Sequence, residues 1–417
     1  MCRLCSDSTG FDHKNIVYAD NFANALQVIE ELGIHVVVAN LDFFGTNALD
    51  KVSSLQYKLS SVFPNRLESV FILVGEKGHH ELANILLENS IDQVVYLPFS
   101  GENFETSLKS AFIEKINPTQ EKKLYFEAQF AYSQKNDELA LKLVNDTLAV
   151  NERSYEANCL LGDLVLRVNN DLLEACFYYE EALKLKSDYY PALKKLAELY
   201  YELKNYDRSY GYYLNLMENF PFLPARLPRF IRLAILTQHY EDILHFSLMF
   251  KSAKLFLPSE SLKAIAAGLT ICGKQLFLKT NDNSNSQALE ALRLASKLAE
   301  GKKEIVQKII QALVQHGHAE EALRILEEGE NPNLPEEDYL LLQLEAMNMA
   351  SNDPLPVLQL GRTIITKNIR TVAVYKIMIE RSIEAKRTSN AVEILIQEAK
   401  RFFPEQEESW DRFSAVD

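Results

Sequence analysis

The chain of 417 residues is 47% hydrophobic and 24% charged, a composition typical of globular proteins. This length exceeds one ordinary hydrophobic core and predicts two domains, or a domain followed by an array. The formal net charge of −14 argues against nucleic acid as the principal ligand, because phosphate neutralisation requires a basic surface. No apolar run approaches the roughly 20 residues that cross a bilayer, which predicts no membrane insertion.

The first residues and the cysteines indicate the compartment. Residues 1–7 lack the apolar core of a signal peptide. Three cysteines stand on apolar helical patterns as small hydrophobic side chains, namely Cys159, Cys176 and Cys272. Cys2 and Cys5, with His13 downstream, form a lone CxxC pair without the second pair of ligands that a zinc site needs. The sequence predicts a protein of the reducing cytoplasm with no metal and no cofactor.

Residues 14–115 alternate short Val/Ile-rich runs with helical patterns, which predicts a parallel sheet covered by helices. The predicted strands are 16–19, 35–39, 69–74 and 93–96, and the predicted helices are 24–32, 49–59, 80–89 and 103–116. Residues 1–115 contain 8 Lys or Arg and 15 Asp or Glu, a net charge of −7. Such a domain repels polyanions and favours basic partner surfaces.

The ends of three predicted strands carry a recognisable set of residues. Asn40 follows the strand at 35–39, Gly75 follows the next strand, and the last strand ends in Leu97-Pro98-Phe99. This segment resembles the receiver domain of bacterial response regulators. In that family the corresponding positions hold a phosphoacceptor Asp, a Ser or Thr that senses the phosphoryl group, and the Lys of a Lys-Pro-Phe turn. The resemblance implies a flavodoxin-like α/β fold.

The replacements at these positions remove the family's reaction. Phosphoryl transfer needs a nucleophilic carboxylate and a cation beside the phosphoryl oxygens, and the amide of Asn40 cannot form an acyl phosphate. Asp20 and Asn40 are also too close in sequence to span the family's first three strands, so its first strand and first helix are apparently missing. The resemblance implies a degenerate, phosphorylation-incompetent receiver-like domain. Asp42, two residues beyond Asn40, leaves open an alternative in which it is the phosphoacceptor.

Pro118 ends the last helix of this segment, and a new helical pattern begins at Glu121. The predicted domains are residues 1–117, a helical array at 121–404 and a C-terminal tail at 405–417. Within the array, Tyr206 and Tyr240 occupy the same place in two turns 34 residues apart. The helical patterns predict about eight hairpins, at 121–153, 154–188, 189–221, 222–257, 258–300, 301–333, 335–368 and 370–404. The polar stretch 280–286 predicts a surface loop.

Small residues recur at one position of each helix in this pattern. The first helices of successive hairpins contribute Gly162, Ala197 and Ala234, and the second helices contribute Ala140, Ala175, Ser209, Ala322 and Ala391. The array resembles the tetratricopeptide repeat (TPR) family. That resemblance implies an all-α superhelical solenoid, which binds protein partners along an extended concave surface.

Charged side chains on the inner faces of the first helices are the candidate binding residues. They are Asp163, Arg167, Lys194, Glu198, Arg229 and Arg232. The basic members suit an acidic helix or an extended peptide. TPR domains that hold the C-terminal carboxylate of chaperones need polar groups where this chain has Cys159 and Leu160, so that ligand is not implied.

These observations predict a non-catalytic adaptor of bacterial signalling in the cytoplasm. The array would bind a protein partner, and the receiver-like domain would be a second docking surface that also allows a homodimer. The alternative is a phosphorylation-dependent response regulator that uses Asp42, with the TPR array as its output domain.

Overall fold

The computed structural model describes residues 17–44, 48–63, 66–76, 91–220, 224–252, 257–279, 282–327, 334–387 and 389–414. The chain divides into two compact units, Met1–Leu223 and Pro224–Asp417. The first unit contains a sheet with its covering helices and three helical hairpins, and the second unit contains the remaining hairpins. In the part of the chain that the structure describes, no helix is long and apolar enough to cross a membrane.

The described sheet has three parallel strands in the order β1-β2-β3. They are β1 (Val36–Asn40), β2 (Val70–Glu76) and β3 (Gln93–Leu97). The central strand β2 is buried throughout except at Glu76, because it has a strand on each edge and helices on each face. Its continuous run of apolar residues is therefore the pattern of a strand covered on both sides.

Helices cover both faces of this sheet. On one face, α1 (Phe22–Leu32) and α2 (Ala48–Val62) enclose a core that contains Phe71 and Leu73 of β2. On the other face, Val70, Ile72 and Val74 pack with side chains of α3 (Gly101–Ile116). Short 3-10 turns lie at Leu41–Phe44 and Arg66–Glu68. The three-layer α/β arrangement matches the predicted sheet and its covering helices.

One predicted strand is wrong. Residues 17–19 lie in the described part of the chain but belong to no strand, and Val17 and Tyr18 are 45% and 61% exposed. An apolar run becomes a strand only where a neighbouring strand supplies backbone partners, and such pairing is not visible in a single sequence. Residue 16 and the predicted helix 80–89 lie outside the described residues.

The sheet layer packs directly on the first hairpin. Helix α3 ends at Ile116, and the first array helix begins at Gln120, inside the first unit. The buried Lys115 ammonium group lies 2.9 Å from Asp92 and 5.6 Å from the centre of the Phe126 ring. Asp92 also accepts the N–H of Phe71 on β2 at 2.8 Å. The predicted domain boundary at 117 stays a prediction.

The described part of the array consists of pairs of adjacent helices, each joined by a short turn. In the first unit the pairs are α4 (Gln120–Ser133) with α5 (Asp137–Val150), α6 (Tyr155–Asn169) with α7 (Leu172–Leu185), and α8 (Tyr190–Glu202) with α9 (Tyr206–Asn219). In the second unit, after a 3-10 turn at Pro224–Arg226, they are α10 (Leu227–Leu236) with α11 (Tyr240–Ser252), α12 (Ser259–Phe277) with α13 (Asp282–Leu298), α14 (Lys303–Gln315) with α15 (Ala319–Glu327), α16 (Glu336–Ala350) with α17 (Pro354–Thr366), and α18 (Val372–Glu384) with α19 (Ser389–Phe402). The helices therefore recur as an array of TPR-like hairpins.

The turns inside these hairpins repeat one geometry. Lys135, Lys204, Gln238 and Gly317 each adopt a positive φ directly after a first helix. In each turn the next residue donates its N–H to a carbonyl five positions earlier, at distances of 2.8–2.9 Å. This helix-ending motif satisfies carbonyl groups that would otherwise lack a partner. Its recurrence is a local signature of the repeat.

The polar stretch predicted as a loop at 280–286 is largely helical. Helix α13 begins at Asp282, and Ser284 in its first turn is only 4% exposed. Residues 280 and 281 lie outside the described part. Helix α13 packs along α12, which has 19 residues and is longer than the other first helices described, so tertiary contact overrides the polar composition.

The C-terminal residues predicted as a tail contain a further helix, α20 (Glu407–Ser414), after a 3-10 turn at Pro404–Gln406. Trp410 is fully buried in a cluster with Tyr375 of α18 and Ile396 of α19. Its indole N–H donates to the carbonyl of Phe403 at 3.3 Å. Helix α20 thus covers apolar surface of the last described hairpin.

Candidate partner-binding surface

The predicted small residues lie where helices approach one another. A side chain on Gly162 of α6 would overlap the ring of Tyr179 on α7. The hydroxyl of Ser209 on α9 donates to the carbonyl of Ala197 on α8 at 2.6 Å, so two predicted small positions of one hairpin are in direct contact. All of the predicted small residues are fully buried except Ala391, which is partly exposed. These residues pack the hairpins and are not available to a partner.

Asp163 lies next to Gly162 and connects three helices. Its carboxylate accepts the Tyr179 hydroxyl at 2.6 Å and lies 2.9 Å from the ammonium group of Lys195 on α8. Burial, and then the nearby Asp163 carboxylate, raise the pKa of Tyr179, so this hydroxyl stays a hydrogen-bond donor. Burial opposes the charge of Lys195, but Asp163 outweighs it and raises the pKa of the ammonium group. The Lys195 ammonium group therefore stays charged at neutral pH.

Arg167, one helical turn further along α6, binds the preceding hairpin. Its guanidinium group lies 3.4 Å from the centre of the Tyr132 ring and donates to the Tyr132 carbonyl at 2.8 Å. It also forms an ion pair with Asp137 at the start of α5. Arg381 of α18 makes the same kind of bond to the backbone carbonyl of Asn348 at the end of α16. An arginine at this position joins consecutive first helices.

Together these side chains form one polar surface in the first unit. We call it the first-helix strip, and it consists of Tyr132, Asp163, Arg167 and Lys195. The predicted Lys194 and Glu198 also lie on α8. Lys194 and Glu198 are partly buried and lie four residues apart, so they share one face of α8. The strip crosses three successive first helices. Arg229 and Arg232 belong to the second unit, where both are exposed and lie three residues apart on α10.

The first unit contains a second polar network around Glu180. The Glu180 carboxylate on α7 accepts the Tyr200 hydroxyl at 2.6 Å, the Arg208 guanidinium at 3.1 Å and the Tyr212 hydroxyl at 3.3 Å. Burial, and then the bond to Glu180, raise the pKa of Tyr200 to about 12. Burial also raises the pKa of the Cys176 thiol to about 11, so it is not a reactive thiolate. Sequence reasoning missed the carboxylate that these tyrosines share, because no spacing rule identifies it.

The four residues predicted as a degenerate phosphorylation site lie at one edge of the sheet. Asn40 ends β1 and pairs in register with Val74, and Gly75 and Leu97 lie at the ends of β2 and β3. Asp42 is exposed in the 3-10 turn that follows, and its N–H donates to the Asn40 side-chain oxygen at 3.1 Å. Among the described residues, no group of three His, Cys, Asp or Glu side chains is placed to hold a metal ion.

Comparisons with known proteins give matches to solved structures alone. No family model matches the chain, and no curated protein matches it. A structure of Naa15/Naa10 bound to HypK-THB is 17% identical with a TM-score of 0.36, and the match covers 75% of this chain and 52% of that chain. This chain thus spans about half of that protein's length.

Two further solved structures match the chain. The assembly chaperone of RpL4 (Acl4), residues 1–338, is 14% identical with a TM-score of 0.24, over 64% of this chain and 97% of that one. The TPR domain of P58(IPK) is 14% identical with a TM-score of 0.23, over 84% of this chain and 91% of that one. The TPR-like character of the array rests on its own hairpin geometry.

Proposed function

We propose that this chain is a non-catalytic protein–protein interaction adaptor of bacterial signalling, acting in the cytoplasm, whose helical array binds a partner protein. The observation that carries the proposal is the first-helix strip. Its charged ends are held by bonds within the protein yet stay partly exposed: 22% of the Asp163 side chain, 28% of Arg167 and 43% of Lys195. Groups held in place before binding lose little conformational entropy when a partner arrives, which favours affinity.

Basic side chains in each of the two units define the partner's chemistry. Lys194 in the first unit and Arg229 and Arg232 in the second suit an acidic helix or an extended acidic peptide. An arginine that the partner buries contributes on the order of 1–3 kcal/mol, whereas one at the rim contributes little. The negative charge of the chain as a whole also supports a protein partner rather than a nucleic acid.

The α/β layer is proposed as a second docking surface with a receiver-like fold that phosphate does not switch. Asn40, Gly75 and Leu97 at the carboxyl edge of the sheet support this view, because they offer neither a nucleophile nor a cation. We also propose that two copies of the chain associate through this layer.

The proposal is tested with the full chain as bait in native lysate, followed by quantitative mass spectrometry. Lys194→Glu combined with Arg232→Glu should reduce capture of the main partner at least tenfold without changing helix content or melting temperature. A matched control is Lys263→Glu combined with Lys308→Glu, which changes the same number of charges at exposed positions of other first helices. Wild-type capture by the Lys194/Arg232 variant would disprove the binding surface.

A further inference from the structure

Strand β1 is an outer strand of the described sheet, and one of its edges carries outward-pointing backbone groups. The Val70 N–H donates to the His35 carbonyl at 2.8 Å, so His35, Val37 and Ala39 direct their backbone groups towards β2. Backbone groups alternate between the two edges of a strand, so Val36, Val38 and Asn40 point theirs away from β2. Among the described residues no strand lies along that edge. Such an edge is a template for another strand.

Strand β1 itself lacks the charged and proline residues that usually protect an outer strand. Natural edge strands carry charges or proline, but residues 34–41 contain neither. Val36, Val37 and Val38 are partly exposed, whereas their register partners on β2 are buried. The other outer strand, β3, does have a charged residue and a proline beside it. It is preceded by the ion-paired Asp92 and followed by Pro98.

We infer that β1 is the contact through which two copies of this chain associate, pairing antiparallel about a two-fold axis at Val38. The inference specifies the self-association included in the proposed function and rests on it. A two-fold contact uses the same surface on both partners, and an uncharged strand meets no charge repulsion from its own copy. The pairing would place Val36 opposite Asn40 of the second copy and form about six backbone hydrogen bonds. A foreign peptide would find no charged side chain on β1 to select it.

The charge of the surrounding domain sets the response to salt. Residues 1–115 carry a net charge of −7, so two copies repel one another through the domains that the pairing brings together. Dissolved salt screens this repulsion but leaves backbone hydrogen bonds and apolar contacts in place. Association through β1 should therefore strengthen as salt concentration rises. An interface held by ion pairs would weaken instead.

The test is sedimentation equilibrium of the full chain over a range of concentrations, at low and at high salt. Val38→Pro removes an outward N–H without removing a bond to β2, and it should raise the dimer dissociation constant at least tenfold. The matched control is Val95→Pro on β3. The Asp92 N–H donates to the Phe71 carbonyl of β2. The backbone N–H of Val95, three residues later, therefore points away from β2, like that of Val38. The control should dimerise like the wild type.

Amide hydrogen exchange keeps the test decisive if a proline variant fails to fold. In the wild-type chain, the amides of Val36, Val38 and Asn40 should become protected as concentration rises, while those of Val37 and Ala39 are protected throughout. A chain that stays monomeric at all concentrations in high salt would overturn both this interface and the proposed self-association. A dimer that Val38→Pro leaves intact, or that salt weakens, would overturn the interface alone.

Discussion

Gly162 lies against the ring of Tyr179, and a Cβ atom at position 162 would stand 2.9 Å from the Cε1 and Cζ atoms of that ring. Tyr179 is fully buried and its hydroxyl is bonded to Asp163, so the ring has no room to move aside. Helices α6 and α7 can approach this closely because position 162 has no side chain. Tyr179, which packs on Gly162, also donates its hydroxyl to the neighbouring Asp163 of the first-helix strip.

Gly162→Ala should therefore destabilise the protein by about 1–3 kcal/mol, because overpacking outweighs the better helix propensity of alanine. Gly211 provides the control, since it lies in helix α9 and a Cβ atom there meets nothing within 4 Å. Gly211→Ala should stabilise the protein by about 0.5–1 kcal/mol. Urea unfolding followed by circular dichroism measures both changes. Equal effects of the two substitutions would contradict the packing argument.

Phosphate donors should have no effect on the α/β layer. Acetyl phosphate or beryllofluoride with Mg²⁺ should leave the mass and the oligomeric state unchanged, because Asn40, Gly75 and Leu97 supply no acceptor, hydroxyl or lysine. Intact-protein mass spectrometry and sedimentation measure this. Phosphate on Asp42 would support the alternative of a phosphorylation-dependent regulator, and Asp42→Asn would then abolish the modification.

Glu321 on α15 should stabilise the second unit at neutral pH. A hydrogen bond from Arg293 on α13, with a smaller contribution from Arg324, lowers the pKa of this nearly buried carboxylate. The stabilisation is complete above the pKa of an unfolded Glu, about 4.3, and is lost as pH falls through the lower folded pKa. Glu321→Gln should lower the melting temperature at pH 7. This decrease in melting temperature should become smaller as the pH is lowered. Glu320→Gln, at the exposed neighbouring position, should change little.

Glu345 on α16 should have the opposite effect. Burial raises the pKa of its carboxyl group, so the folded state disfavours the charged form. The protein loses stability as pH rises from the unfolded Glu pKa, about 4.3, through the higher folded pKa. Glu345→Gln should raise the melting temperature at pH 7 and have no effect in acid. Glu380, which is exposed on α18, provides the control substitution Glu380→Gln. An equal rise in melting temperature from this control would show that burial of Glu345 is not the cause.

The sequence by itself determined the hairpins of the array. Each predicted hairpin contains a pair of described helices, and Tyr206 and Tyr240, 34 residues apart, both begin second helices. The physical reason is that a hairpin is defined by contacts between residues close in sequence, and small residues, apolar spacing and turns record those contacts directly. The strand at 70–76 was readable because burial on both faces leaves a continuous apolar run, and the strands at 36–40 and 93–97 were readable from their Val-rich runs.

Only the tertiary structure decided which residues of different elements contact one another. Arg167 was predicted to bind a partner, but it stacks on Tyr132, and its binding role stays a hypothesis. Val17 and Tyr18 form no strand, Asp282 starts a helix in a polar stretch, and Trp410 covers the last hairpin. The side chains that contact Arg167 and Trp410 come from other helices. Tyr132 and Tyr375 each lie more than 30 residues away in sequence. A sequence pattern records which side chains are buried or polar, whereas hydrogen-bond partners depend on how whole helices are placed in space.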